Sequence, residues 1–585
     1  MSGIDRRRTG DDRGQSEVLG FILLTAVVVF ASSMLVVYGS MAISGQEDVA
    51  AVSHAERGLD QFDARASQVA LGGSSVQQVD LASLDNLGHA YTDDDGWVAV
   101  TLRPESGAPT EVVNGSLGSV FYRRGETTVA YQGGGIWRAD GEGTTMLSRP
   151  EFHYTEGTLT IPVVSVDGDT GLTDRVYVRK NGTSTRAFPD RSRDLHNKLE
   201  SGRVEVTVQS DYYEAWGRYF EDSTDGVVTY DHDAEAVTVV FFALPDVRKY
   251  DVGIVATSGT GELRVAGTGA YVDSYDSTQG EYAATKSLNG SMRISGDVYT
   301  TGDSRIDGDV TSGGIVNLDG SSQINGNVQW TDEPEPDATE RSKISGTVTK
   351  IDGIESVDPI DSFVRAYTDR IRADADNDQT PYITDNELSV PGTTAELGPG
   401  DYYLESLNLE GDETLVLNTT DGNVRVAVRD WVNLDSGNIR VVGDGTAHVV
   451  VASEATTRAQ VTGEGSKDVH FHVGKSSSVH IPGEKANRLV VFGPRHFSAT
   501  VTGSNANPAS FDGVIFAPAG ETGTGYLYVK QGDVYGLVMT GNLTAGQYGA
   551  VHYDRGLDNT LTDDSTLSEL EYLHVSVHRL LVKSA

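Results

Sequence analysis

From Val18 to Gln46 no side chain ionises except Tyr38. The first part, Val18–Tyr38, is apolar over the roughly 20 residues that a helix needs to cross about 30 Å of hydrocarbon. That pattern predicts a transmembrane helix. Beyond it Val52, Ala55, Leu59, Phe62, Ala66 and Val69 recur at spacings of three and four between polar residues, an amphipathic stripe that ends near Leu71. At about 1.5 Å per residue the two parts make one rod of roughly 80 Å, with Gly58 the place for a kink. The period then changes to two. Trp97–Leu102, Leu159–Val164, Arg203–Val208 and Ala236–Phe242 alternate apolar and polar residues between turns rich in Gly, Asp and Asn, which predicts an antiparallel β domain packed on the helix.

The most regular pattern follows. Glycine falls at Gly290, Gly296, Gly302, Gly308, Gly314, Gly320 and Gly326, every sixth residue. Two residues before these sit Leu288, Ile294, Thr300, Ile306, Ser312, Leu318 and Ile324; two after sit Met292, Val298, Ser304, Val310, Val316, Ser322 and Val328. Side chains alternate along an extended chain, so both sets share one face. Such a repeat predicts a β-solenoid in which glycine permits a close approach of the backbone and the aliphatic residues stack inside. Seven hexads supply only two or three coils, so the block must stack on something. The expected partner is the region from about 389 to 555, where Phe511-Asp512-Gly513 and Val534-Tyr535-Gly536 repeat one unit 23 residues apart. Between the two, TDEPEPDATE (331–340) is an acidic break, and Ile360, Phe363, Val364, Tyr367 and Ile371 lie on one face of a short helix. The tail Leu573–His578 alternates and is read as capping or rejoining the β structure.

The expected fold class is therefore mainly β: a long N-terminal transmembrane α-helix, an antiparallel β domain, then a parallel β-helix. The expected segments are 1–14 (leader), 15–72 (helix), 73–255 (β domain), 256–330 (hexad solenoid), 331–388 (acidic linker with helix) and 389–585 (C-terminal β-helix).

Three resemblances bear on these segments. Arg13-Gly14 followed by Gln15 resembles the cut site of class III leaders in archaeal type IV pilins and archaellins. That likeness implies removal of residues 1–14, with Glu17 pairing with a neighbouring subunit's new α-amine. Bacterial pilins place this acid at the fifth mature position and here it is the third; the alternatives are a glutamate that snorkels to the headgroups at a helix end and a leader retained uncut as an anchor. VAYQGGGIWRADG (129–141), RPEFHYTEGTLTIPVV (149–164) and SDYYEAWGRYFE (210–221) resemble haloarchaeal pilin-like surface proteins. The I-x-G-x-V units resemble bactofilins, whose β-helices polymerise.

Charge and composition narrow the function. With 45 Lys and Arg against 85 Asp and Glu, a formal charge of -40, the chain lacks the cationic surface that displaces phosphate counterions, so nucleic acid is excluded as a partner. A surface so acidic suits high salt, where the Debye length is roughly 3 Å at 1 M, and points to a halophilic archaeon. The absence of cysteine removes disulfides, thiol nucleophiles and Cys-based metal sites. Arg6, Arg7, Arg8 and Arg13 before the apolar run predict a cytoplasmic amino terminus and an extracellular bulk on a single-pass anchor.

Catalytic chemistry is sparse. Asp374, Asp376, Asp378 and Asp385 occupy positions 1, 3, 5 and 12 of a calcium loop, but Gln379 stands where that loop needs glycine, so solvated carboxylates are the default and calcium the only cofactor candidate. His470 and His472 are expected outward and exposed beside inward Val469, Phe471 and Val473. Trp137, Tyr212, Tyr213, Trp216 and Tyr219 are expected as core aromatics before a binding face. No phosphate loop, GxSxG or HExxH occurs. Five N-x-Ser/Thr sites, at Asn114, Asn181, Asn289, Asn418 and Asn542, permit glycosylation at a frequency near chance.

The leading expectation is a non-catalytic, membrane-anchored structural scaffold, similar to bactofilins and the archaeal halofilins, that influences cell shape through lateral or end-to-end solenoid contacts. Its expected partners are the membrane, other copies or other envelope proteins, and surface glycans. The alternatives are a minor pilin-like or adhesive subunit and a β-helical enzyme acting on polysaccharide.

Overall fold

The computed structural model describes residues 13–81, 90–93, 95–141, 143–155, 157–173, 175–197, 199, 201–224, 226–245, 252–259, 261–462, 465–559 and 570–585. A single rod helix spans Arg13–Ala70 and continues through Gly58. Its second half buries Ala51, Val52, Ala55, Leu59, Phe62, Ala66 and Val69 against a β domain, among them Tyr131, Val164 and Val178. The expected fold class is corrected at its first element. Among the described residues no helix is long and apolar enough to cross a membrane. The described apolar stretch of the rod takes in Phe21 and Leu23–Met34, interrupted by Thr25, Ser32 and Ser33. Within them Thr25, Ser32 and Ser33 turn their hydroxyls back to the carbonyls of Phe21, Val28 and Val29. The single-pass anchor, and the cytoplasmic and extracellular sides assigned from it, are withdrawn on this finding.

The first β domain consists of three sheets. Trp137 and Trp216 stack at 4.4 Å between ring centroids in its core, so with Tyr212 and Tyr219 they are packing residues. Antiparallel pairing dominates, with one large exception. The closing strand Tyr572–Ser584 enters the middle of the six-stranded sheet, parallel to Thr158–Gly168 and antiparallel to Arg175–Lys180. Its inward residues change phase along the way: Leu573 and Val575 join the tryptophan core, whereas Leu580 and Val582 join the core under the rod helix. The tail thus closes the first domain from the other side of the solenoid.

The solenoid is one parallel stack wound from two separated chain segments. Its lower coils climb from Thr394–Leu397 through Gly400–Leu404 and Leu407–Glu410 to Gly549–Asp554. The hexad segment continues the same stack upward. Ile254–Ala256, Leu263–Ala266 and Tyr271–Tyr275 pair below with Gly532–Thr540, Asn542–Ala545 and Gly549–Asp554, and above with the coils of the hexads. Val310 lies over Met292 and Val328 over Val310, a coil of three hexads. Glycine is required where the corners of successive coils touch: a Cβ on Gly308 would lie 2.3 Å from the carbonyl carbon of Gly290, and one on Gly326 2.1 Å from the oxygen of Gly308. Leu288 is the exception among the inward positions, 61 % exposed because it precedes the first paired strand, Met292–Ile294.

Because the hexads end at the top and the lower coils begin at the bottom, the chain must run back along the outside. Residues 351–388 do this with a strap helix, Asp361–Ala373, whose Phe363, Val364, Tyr367 and Ile371 pack on Tyr403, Ala427, Val450, Phe492 and Phe516 of successive coils. His470 and His472 are corrected from exposed to buried, at 4 % and 1 %. A hairpin, Arg458–Thr462 with Gly465–Val469, leaves the coil just before them and packs beside Ser498–Thr502, and neighbouring coils take their ring nitrogens: His470 Nδ1 accepts from Ser498 N, and His472 Nδ1 meets Thr500 Oγ1 at 2.7 Å.

Candidate functional site

The joint between the two solenoid segments is where ionisable groups converge. Strand register stacks His480, Asp512, Tyr535, His552 and Asp273 in one outward column across consecutive coils. Two loops close over it. Tyr282, in the single turn Tyr282–Thr285, donates its N–H to Glu484 Oε2 at 2.5 Å, and Tyr275 donates its hydroxyl to the Glu484 carbonyl at 2.6 Å.

At the centre His552 is 2 % exposed. Its Nδ1 donates to Asp273 Oδ1 at 2.5 Å, and Nε2 lies 3.5 Å from Asp533 Oδ1. The imidazole ring sits between Tyr282 and Tyr535, with centroid distances of 4.1 and 4.7 Å. Burial favours the neutral ring, yet the hydrogen bonds and charges of Asp273 and Asp533 outweigh it, so His552 titrates above the ordinary histidine value. The other oxygen of Asp273 accepts from Tyr271 at 2.7 Å and Tyr282 at 2.9 Å, and those two phenols also meet each other. Burial raises Tyr271 to about 12 and keeps it a donor. Nearby, Asp512 takes His480 Nδ1 at 3.0 Å and Ile481 N at 2.9 Å, while Asp554 takes the N–H groups of Ser277 and Gly556. Both oxygens of Asp273 are thus taken by protein donors. The chemistry such an arrangement performs is fastening: an imidazole held between two carboxylates, with the partners drawn from both chain segments.

The sequence-predicted positions lie elsewhere. Arg13, Gly14, Gln15 and Glu17 open the rod helix, but their side chains, like residues 1–12, lie outside the described residues. The hexad glycines line the solenoid corners. Asp374 ends the strap helix, Asp376 accepts from Asp401 N at 3.0 Å, Asp378 lies in the turn Asn377–Gln379, and Asp385 lies between Ile383–Thr384 and Glu387–Leu388. Among the described residues no group of three or more His, Asp or Glu is placed to hold a metal ion. Of the five sequon asparagines, Asn114 bonds to Trp97 and Glu111, Asn418 to Glu396 and Asn542 to Glu262 N; Asn181 and Asn289 lie in exposed loops.

Reasoning along the chain missed His552, Asp273, Asp533, Tyr282 and Glu484, since His552 and Asp273 are 279 residues apart. One signal pointed there. The aligned units Phe511-Asp512-Gly513 and Val534-Tyr535-Gly536 put Asp512 beside Tyr535, and extending that register by one coil reaches His552.

The fold and joint define a class: a β domain closed by a distant strand and carrying a two-segment parallel solenoid. A family of unknown function, DUF7289, has a model that matches residues 13–260, and a domain of unknown function, DUF7305, has one that matches residues 343–560. Most of the hexad coils and the closing strand lie outside both matches. No curated protein and no solved structure matches the chain.

Proposed function

We propose that the chain is a non-catalytic structural subunit that associates with other copies through its rod helix and carries the solenoid as a stiff projecting arm. The observation that supports this reading is the first half of the rod: Phe21, Leu24, Val27, Val28 and Phe30 are each more than half exposed, on all sides of a helix whose second half is packed on the chain's own β domain. A contiguous apolar surface of this kind marks an interaction site, and other copies of the rod cover it symmetrically.

End-to-end stacking of solenoids is not carried forward. Lys343 Nζ and Glu340 engage the carbonyl and N–H of Leu318 on the last strand of one sheet, and Ile344 closes the core above it. At the other end Ile383, Tyr382, Leu388 and Val390 of a hairpin cover the first coil. Covered edges of this kind oppose strand-by-strand growth at those strands. An envelope-organising role therefore rests on the rod.

The test is sedimentation and electron microscopy of the full chain across a concentration series in high salt. Wild type assembles, and Leu24→Lys with Val28→Lys stays monomeric with an unchanged β domain. A wild type that remains monomeric throughout, or a double variant that assembles equally, refutes the reading.

A further inference from the structure

A second unassigned feature lies between the first domain and the strap helix. One wall is the strand Val227–Asp231, which pairs with Ala236–Ala243 on one side and ends its five-stranded sheet on the other. Among the described residues nothing pairs with its outer edge. The facing wall is the strap helix, whose Phe363, Val364, Tyr367 and Ile371 are committed to the solenoid, which leaves Ala366, Asp369, Arg370 and Ala373 on the opposite face. Between them is a cavity of about 680 Å³, lined by Gly226, Val227, Val228, Thr229, Ala366 and Ala373 with Glu221, Asp369, Asp374 and Arg370 at its charged positions.

An open strand edge facing a helix across a cleft is the geometry in which an extended peptide adds as a further strand. Its main chain bonds to the edge, and alternate side chains point into the cleft. Ala366 and Ala373 leave room there for small apolar side chains. The charges select the rest. Three carboxylates face one guanidinium, and Arg370 makes no ion pair or side-chain hydrogen bond among the described residues, so it is free to donate to a peptide carbonyl. The acidity of the whole chain, -40, disfavours a second copy and favours a basic partner.

We propose that this cleft binds an extended, basic segment of a partner protein as an added strand on Val227–Asp231. The probe is a fluorescent peptide of alternating lysine and valine, with an alternating glutamate and valine peptide and a lysine and glycine peptide as controls. Saturable binding of the first alone is expected, with amide-exchange protection gained at residues 227–231. Ala373→Trp, which fills the cleft from an exposed helix position, and Asp369→Lys with Asp374→Lys are each expected to weaken binding by about tenfold or more, with solenoid exchange unchanged as the check on folding. The proposal falls if the lysine and valine peptide does not bind, if the lysine and glycine peptide binds equally well, if protection appears away from 227–231, or if binding survives both sets of substitutions. Concentration-dependent protection of 227–231 without peptide would assign the cleft to a second copy and overturn it as well.

Discussion

The hexad coils and the lower coils share one hydrophobic interior yet are built by different rules. In the hexads each corner is a glycine resting on the backbone of the coil below, and the interior admits small hydroxyls such as Thr300, Ser312 and Ser322, all fully buried. In the lower coils the corners vary, the interior is Leu, Val and Phe, and outer faces are covered by the strap helix and a hairpin. Backbone contact tolerates no added atom, whereas side-chain contact can readjust. The hexad coils are therefore brittle and regular, and the lower coils adaptable and irregular.

The sharpest break is at the joint of the two. His552→Leu leaves Asp273 buried opposite an uncharged side chain, and loss of one partner of a buried pair costs about 3–5 kcal/mol. The expected result is loss of exchange protection in the hexads before the lower coils. The folded-state pKa of His552 is raised, so its stabilisation is complete below the unfolded value near 6.5 and is lost as pH rises through the folded value. The stability difference between parent and variant, measured by denaturant melts, should shrink on raising the pH.

Leu580→Ala in the closing strand empties the core under the rod helix and should cost about 2–5 kcal/mol, freeing residues 51–70 in hydrogen exchange while the solenoid stays protected. Gly308→Ala should cost about 3 kcal/mol, since its Cβ meets only backbone. Gly411→Ala in the lower coils is the matched control. That residue has φ of +60° but open space around its Cβ, so only the left-handed backbone penalty of about 1 kcal/mol applies. Equal losses at the two glycines would refute the contrast.

The smallest effect has the opposite sign. Burial lifts Asp63 of the rod helix to about 6, opposed by Ser148 and aided by Glu151 and Asp60. The folded state holds this proton more tightly than the unfolded state does, so stability falls as pH rises from about 4 to about 6 and stays lower above. Asp63→Asn should therefore add up to about 2 kcal/mol at pH 7 and flatten that interval in paired denaturant melts.

Much of this was legible along the chain because the signals are local. Glycine every six residues and aliphatics two positions away needed no distant partner, and the stripe from Val52 to Val69 specified one face of a helix. His470 and His472 were misread because alternation identifies an outward position without showing what covers it; here a hairpin and two coils do. The membrane span was misread because hydropathy along the sequence was taken for a spanning segment, which no helix among the described residues forms. The joint stayed invisible because His552 meets Asp273 only when the second segment stacks under the first.

The sequence by itself determined the repeats, their inward faces and the helical stripe, since each follows from side-chain period and glycine contact within a few residues. Only the tertiary structure decided that two separated segments share one stack, that the last strand closes the first domain, and that a histidine between two carboxylates fastens the joint. These depend on which distant edges and charges meet, and that choice is made by the free energy of the whole packed chain.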